Sequence, residues 1–168
     1  KAGVPKQIKF KTKPQIALEQ IRWACESGLP RGVALMDAAY GRDARLRAGM
    51  TELDVPYAVG IVPTILMWAP GSGPRRMDKP MNNTGRRDEP ELVSAKKVAL
   101  GLPKQAWRTV TWREGSADQL SSRFARVRVR VGYNKLIPEK LSPEWLLIEW
   151  PEGEAEPTKY WLSTLPEN

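Results

Sequence analysis

There is no histidine in these 168 residues, only one cysteine and two phenylalanines, and no apolar run reaches the roughly 18 residues of a membrane span. The missing histidine removes the commonest general base, the commonest zinc ligand and the partner of a serine or cysteine nucleophile. Chemistry, if the chain performs any, falls to carboxylates, lysines, tyrosines or a metal held by oxygens. The lone Cys25 excludes an internal disulfide and suits a reducing compartment; its helical surroundings mark it as a buried packing residue. With no signal-like start either, neither membrane insertion nor secretion is expected. The length allows a real core, yet it is long for one small domain and short for two large ones.

What is abundant is positive charge, and it is unevenly spread. Residues 1–66 carry ten Lys/Arg against six Asp/Glu, residues 67–143 sixteen against seven, and residues 144–168 one against six. A basic middle segment suits a polyanion partner. A solvated basic surface with no such partner accounts for the same counts.

Residues 1–13 are basic, with Ile8 and Phe10 alternating, and predict an exposed strand or arm. From Pro14, apolar residues at Ile16, Ala17, Ile21, Ala24 and Cys25 predict a helix ended by Gly28 and Pro30, its apolar face packed on the following strand. That strand is the run Val33-Ala34-Leu35-Met36, which stops at Asp37. A short apolar run ending in an acid reads as a buried parallel strand delivering one carboxylate to its carboxyl end, where open α/β sheets hold ligands and metals. Asp43 then caps a second helix with Leu46, Met50 and Leu53 on one stripe, and 57–62 is a second strand. Residues 33–62 thus form a β-α-β unit with parallel strands.

The composition changes beyond Pro63. Residues 69–91, rich in Gly, Pro, Asn and Arg, predict a long flexible loop, and Ser94 caps a short helix before Gly101. Strands are expected over 107–114, 123–131, 145–150 and 159–165. In 123–131 the alternation sets Ala125, Val127, Val129 and Val131 on one face and Arg126, Arg128 and Arg130 on the other. The arginines then recur at roughly 7 Å, a spacing that can follow a phosphate backbone or simply decorate a solvated face. Most of the seven tryptophans are expected in the core; Trp112, beside Arg113 at a strand end, is the candidate for stacking on a base. The expected class is α/β in the first part and α+β overall.

The segment Asp37-Ala38-Ala39-Tyr40-Gly41 and its preceding strand resemble the second-aspartate strand of bacterial insertion-sequence transposases of the DDE class, which have a ribonuclease H-like core. The resemblance continues through Thr12-Lys13-Pro14-Gln15, Val59-Gly60-Ile61-Val62-Pro63, Leu100-Gly101-Leu102-Pro103, residues 107–115, Ser121-Ser122-Arg123-Phe124-Ala125 and residues 144–166. Ala39 stands where that family more usually has Gly.

The resemblance implies a partial ribonuclease H-like core over 1–66 and a β-rich insertion over 67–168. It implies that three carboxylates hold two Mg²⁺ (or Mn²⁺) ions for phosphodiester cleavage and strand transfer on DNA. Asp37 is then the second catalytic and metal-binding carboxylate, Tyr40 and Gly41 shape its turn, and Arg126, Arg128, Arg130, Trp112 and Arg113 contact DNA. The family's first Asp sits on an earlier hairpin, and its Glu on a helix in a Tyr-x₂-Arg-x₃-Glu-x₆-Lys pattern. Tyr160 and Glu167 have the Tyr-to-Glu spacing, but Ser163 replaces the Arg and Pro166 opposes a helix. The expectation is an internal transposase fragment, inactive alone and binding no metal tightly, from a bacterial, nucleoid-associated protein with room for a homodimer. A non-catalytic DNA-binding module and a structural remnant stay open beside it.

Overall fold

The computed structural model describes residues 5, 9–72, 92–113, 119–132 and 142–167. Helix α1 (Lys13–Glu26) is started by a reciprocal cap: the Thr12 hydroxyl accepts from the Gln15 N–H, and the Gln15 side chain accepts from the Thr12 N–H at 2.8 Å. The chain then forms β1 (Ala34–Met36), the single turn α2 (Ala38–Gly41), α3 (Ala44–Glu52) and β2 (Tyr57–Ile61). β1 and β2 are parallel, with Ala34 opposite Tyr57 and Met36 opposite Val59. The Asp43 carboxylate caps α3 by accepting from the Leu46 N–H at 2.9 Å.

Two three-residue strands follow, β3 (Leu66–Trp68) and β4 (Leu92–Ser94), too short for alternation to announce them. Ser94 caps α4 (Ala95–Leu100). β5 (Trp107–Arg113), β6 (Gln119–Val131), β7 (Glu144–Trp150) and β8 (Lys159–Ser163) then build an antiparallel array. The eight strands make one sheet in the order β1-β2-β8-β7-β6-β3-β4, with β5 also on β6. β8 lies directly against β2, Ala58 opposite Ser163 and Ile61 opposite Tyr160, so strands from both halves of the chain share one sheet. The class is α+β.

The core forms on one face of that sheet. Val59, Leu162, Leu146 and Ile148 point inward and meet Leu46 and Met50 of α3 and Val98 and Ala99 of α4, and all of these are buried. The inward set is what the period of two requires: Val59 opposes Leu162, and Leu162 opposes Leu146.

Several expectations are corrected here. Among the described residues β1 is an edge strand, not a doubly covered one, and Leu35 is 75% exposed. α1 packs against α3, where Leu18 meets the notch at Gly49, and it buries no residue fully; Cys25 is half-buried. No described tryptophan is fully buried, because the helices cover one face and most of these rings lie on the other or at its margin. Residues 9–12 form no strand, and Phe10 is exposed. The stretch expected as a loop lies, over 73–91, outside the described residues.

Truncating a residue in this single core should be costly. Leu162→Ala is expected to lower the unfolding free energy by about 2–5 kcal/mol with an unchanged urea m-value. A loss of under about 1 kcal/mol in equilibrium urea melts would contradict the packing described.

Candidate functional site

Asp37 is the first residue beyond β1, in extended conformation, and is exposed. Its Oδ1 accepts the N–H of Ala39 at 2.9 Å and of Tyr40 at 3.4 Å, so the acid is also the N-cap of α2. Within that turn the Gly41 N–H donates to the Asp37 carbonyl at 2.9 Å. Tyr40 is half-buried against the core, and Gly41 is buried. A Cβ at Gly41 would run into the backbone oxygen of Gly60, and one at Gly60 would come within 3.3 Å of the Asp37 backbone. The close approach of α2 to β2, not an unusual dihedral, therefore asks for glycine at Gly41 and leaves little room at Gly60.

Behind the turn lies a polar cluster that sequence reasoning did not find. Arg47 in α3 is fully buried; its Nε donates to Oε1 of Glu144 at 3.0 Å, and another guanidinium nitrogen donates to the Gly41 carbonyl. The Tyr57 hydroxyl donates to the same Glu144 oxygen at 2.6 Å. A signal was present in the pattern: Arg47 falls between Leu46 and Met50 on the apolar stripe, and Glu144 shares the inward face of β7 with Leu146 and Ile148. Burial, and then the Glu144 charge, push the Tyr57 hydroxyl well above the ordinary tyrosine value.

The arginine stripe occupies the outer face of the sheet. Arg126 and Arg128 are exposed and lie over the Trp145 ring at 5.1 and 4.9 Å, while Arg130 is half-buried. Glu167 approaches Arg126 at 3.6 Å. On the same face a cavity of about 540 Å³ is lined by Ala58, Phe124, Leu147 and Trp161, with Arg108 and Arg126. Trp112 also faces this side, and its ring packs edge-on against Phe124 at 5.8 Å. Arg113, one residue on, alternates to the opposite face. The five residues therefore do not form one cluster: Leu120, the partner of Trp112, is six residues along β6 from Arg126, roughly 20 Å. Asp37 stands four strand spacings from the stripe, roughly 19 Å.

The side chains around Asp37 do not fit a two-metal centre. Among the described residues no group of three His, Cys, Asp or Glu could hold an ion, and one Asp37 oxygen is engaged in capping. Tyr160 lies on β8 and its hydroxyl donates to the Pro157 carbonyl at 3.3 Å, so the segment from Tyr160 offers strand, not helix. Among the described residues no helix is long and apolar enough to cross a membrane.

A family model described as DDE superfamily endonuclease matches residues 1–119. No curated protein and no solved structure matches the chain. Endonucleases of that superfamily act on DNA and generally use divalent metals.

The raised Tyr57 value fixes the sign of a pH effect. A folded-state value above the unfolded one gives stabilisation that is complete below about pH 10 and is lost as pH rises beyond it. The stability of the wild-type chain over Tyr57→Phe, from urea melts, should therefore shrink above about pH 10. A difference that stays flat from about pH 8 to about pH 11 would contradict the buried hydroxyl.

Proposed function

The chain belongs to the DDE superfamily endonucleases, and from that premise we propose that it is an internal part of a DNA transposase carrying the second catalytic aspartate. In this reading residues 1–66 are part of the ribonuclease H-like core and residues 67–168 the β-rich insertion. The observation that carries it is Asp37 itself: an exposed acid at the carboxyl end of a strand in a parallel β-α-β unit, on a turn packed tightly against the neighbouring strand. Tyr40 and Gly41 shape that turn. Asp37 would supply one carboxylate to a Mg²⁺ or Mn²⁺ site whose remaining ligands are not among its described neighbours.

The surface beside the acid supports the fragment reading. Among the described residues β1 pairs on one side only, and Leu35 in it and Val33 just before it are exposed. An unpaired strand edge with apolar side chains suits a further strand of the same core. The purified chain should not nick DNA in Mg²⁺, since one carboxylate does not hold two ions. In a chain extended to a complete carboxylate set, Asp37→Asn should abolish cleavage, and cleavage persisting at the wild-type rate would remove Asp37 from the mechanism.

A second reading, DNA binding without catalysis, is favoured by the ladder of Arg126, Arg128 and Trp145 on the outer face. Arg126, Arg128 and Arg130 would contact phosphates, and Trp112 would extend the interface toward the far end of β5, whereas Arg113, on the opposite face, would not share that surface. DNA affinity should fall with salt, and replacing the three arginines by Gln should weaken it and flatten the log–log slope by about 1 for each phosphate no longer neutralised. Asp37→Asn should leave binding unchanged. Salt-independent behaviour, or a triple variant that binds like wild type, would rule out the arginine face as the binding surface. A nucleoid location and a homodimer of the full-length protein belong to this proposal as well.

A further inference from the structure

We infer that Arg47 and Glu144 are positioning residues for Asp37: a buried ion pair through which the β-rich half of the chain holds the turn that presents the acid. The inference rests on the reading of Asp37 as the functional carboxylate, and its geometry runs unbroken from one end to the other. Glu144 begins β7, 97 residues from Arg47, and is 2% exposed. Its Oε1 accepts from Arg47 Nε at 3.0 Å and from the Tyr57 hydroxyl at 2.6 Å. That arrangement aims the guanidinium, and its other end donates to the carbonyl of Gly41, the last residue of α2. Gly41 in turn donates its N–H to the carbonyl of Asp37, whose side chain caps the same turn through Ala39 and Tyr40.

Two physical points favour positioning over simple stabilisation. Removing two charges from water costs as much as their attraction returns, so a buried pair is a weak device for stability, and packed apolar residues would serve as well. What an apolar pair cannot supply is a donor to the carbonyl at the end of a one-turn helix, a group with no partner inside the helix. A four-residue helix has almost no stability of its own, so an outside hold on its last residue decides whether the turn keeps its shape.

The test separates the two roles. Arg47→Met combined with Glu144→Gln removes both charges together, keeps an acceptor for the Tyr57 hydroxyl, and is expected to fold with a Tm near that of wild type. Native-state amide exchange on the full chain then reads the turn. Exchange at Ala39 and Gly41 should be at least tenfold faster, while Val59 and Leu162 in the central strands change less than twofold. Arg47→Lys, which keeps a buried donor cation opposite Glu144, should restore much of the protection. If the turn amides keep wild-type rates, or if turn and central-strand amides accelerate together, the positioning role is overturned. The exchange pattern does not depend on what Asp37 does, so a failed cleavage test in Asp37→Asn would remove the functional reading and leave this result standing.

Discussion

A charge sealed inside the protein governs how its two halves meet. Arg47 has no exposed surface, and a guanidinium cannot shed its proton, so a carboxylate has to be brought to it. That carboxylate, Glu144, comes from the far half of the sequence. The β-rich strands are therefore an electrical requirement of α3 as well as its packing partner. Breaking the pair from one side would leave an uncompensated charge in the core, a loss of about 3–5 kcal/mol. β8 and β7 lie beside β2 in one continuous sheet, and that order brings the start of β7 to α3.

Among the described residues the helices cover the sheet from one side, and its exposed chemistry follows from that. Leu46, Met50, Val98 and Ala99 close over the inward residues of the central strands. The outer face keeps the residues that alternate with them: Trp161, Trp145 and Leu147, with Arg126 and Arg128 above the Trp145 ring. A guanidinium over an indole face loses side-chain freedom and still turns its N–H groups outward.

Around Asp37 the constraint is backbone proximity. The turn that presents the acid lies so close to β2 that Gly41 has no space for a side chain and one at Gly60 would press on the Asp37–Ala38 backbone. The acid's own oxygen is used to start that turn, which orients the carboxylate while leaving it at the surface. Position, capping and close packing thus come from five consecutive residues, whereas the hold on their far end comes from Arg47 and the β-rich half.

Local chemistry made much of this readable in advance. The caps at Asp43 and Ser94, the parallel pair around Asp37, the two-residue alternation of Arg126, Arg128 and Arg130, and the four later strands all follow from short-range rules of spacing and turn chemistry. What the sequence by itself determined is this set of elements and the face each residue takes within its own element. Only the tertiary structure decided that β1 stands at an edge, that α1 rests on α3, that the tryptophans stay half-exposed, and that Arg47 meets Glu144 behind Asp37. The reason is physical: periodicity assigns a side chain to a face, but which element covers that face is set by strand order and by the pairing of charges far apart in the chain.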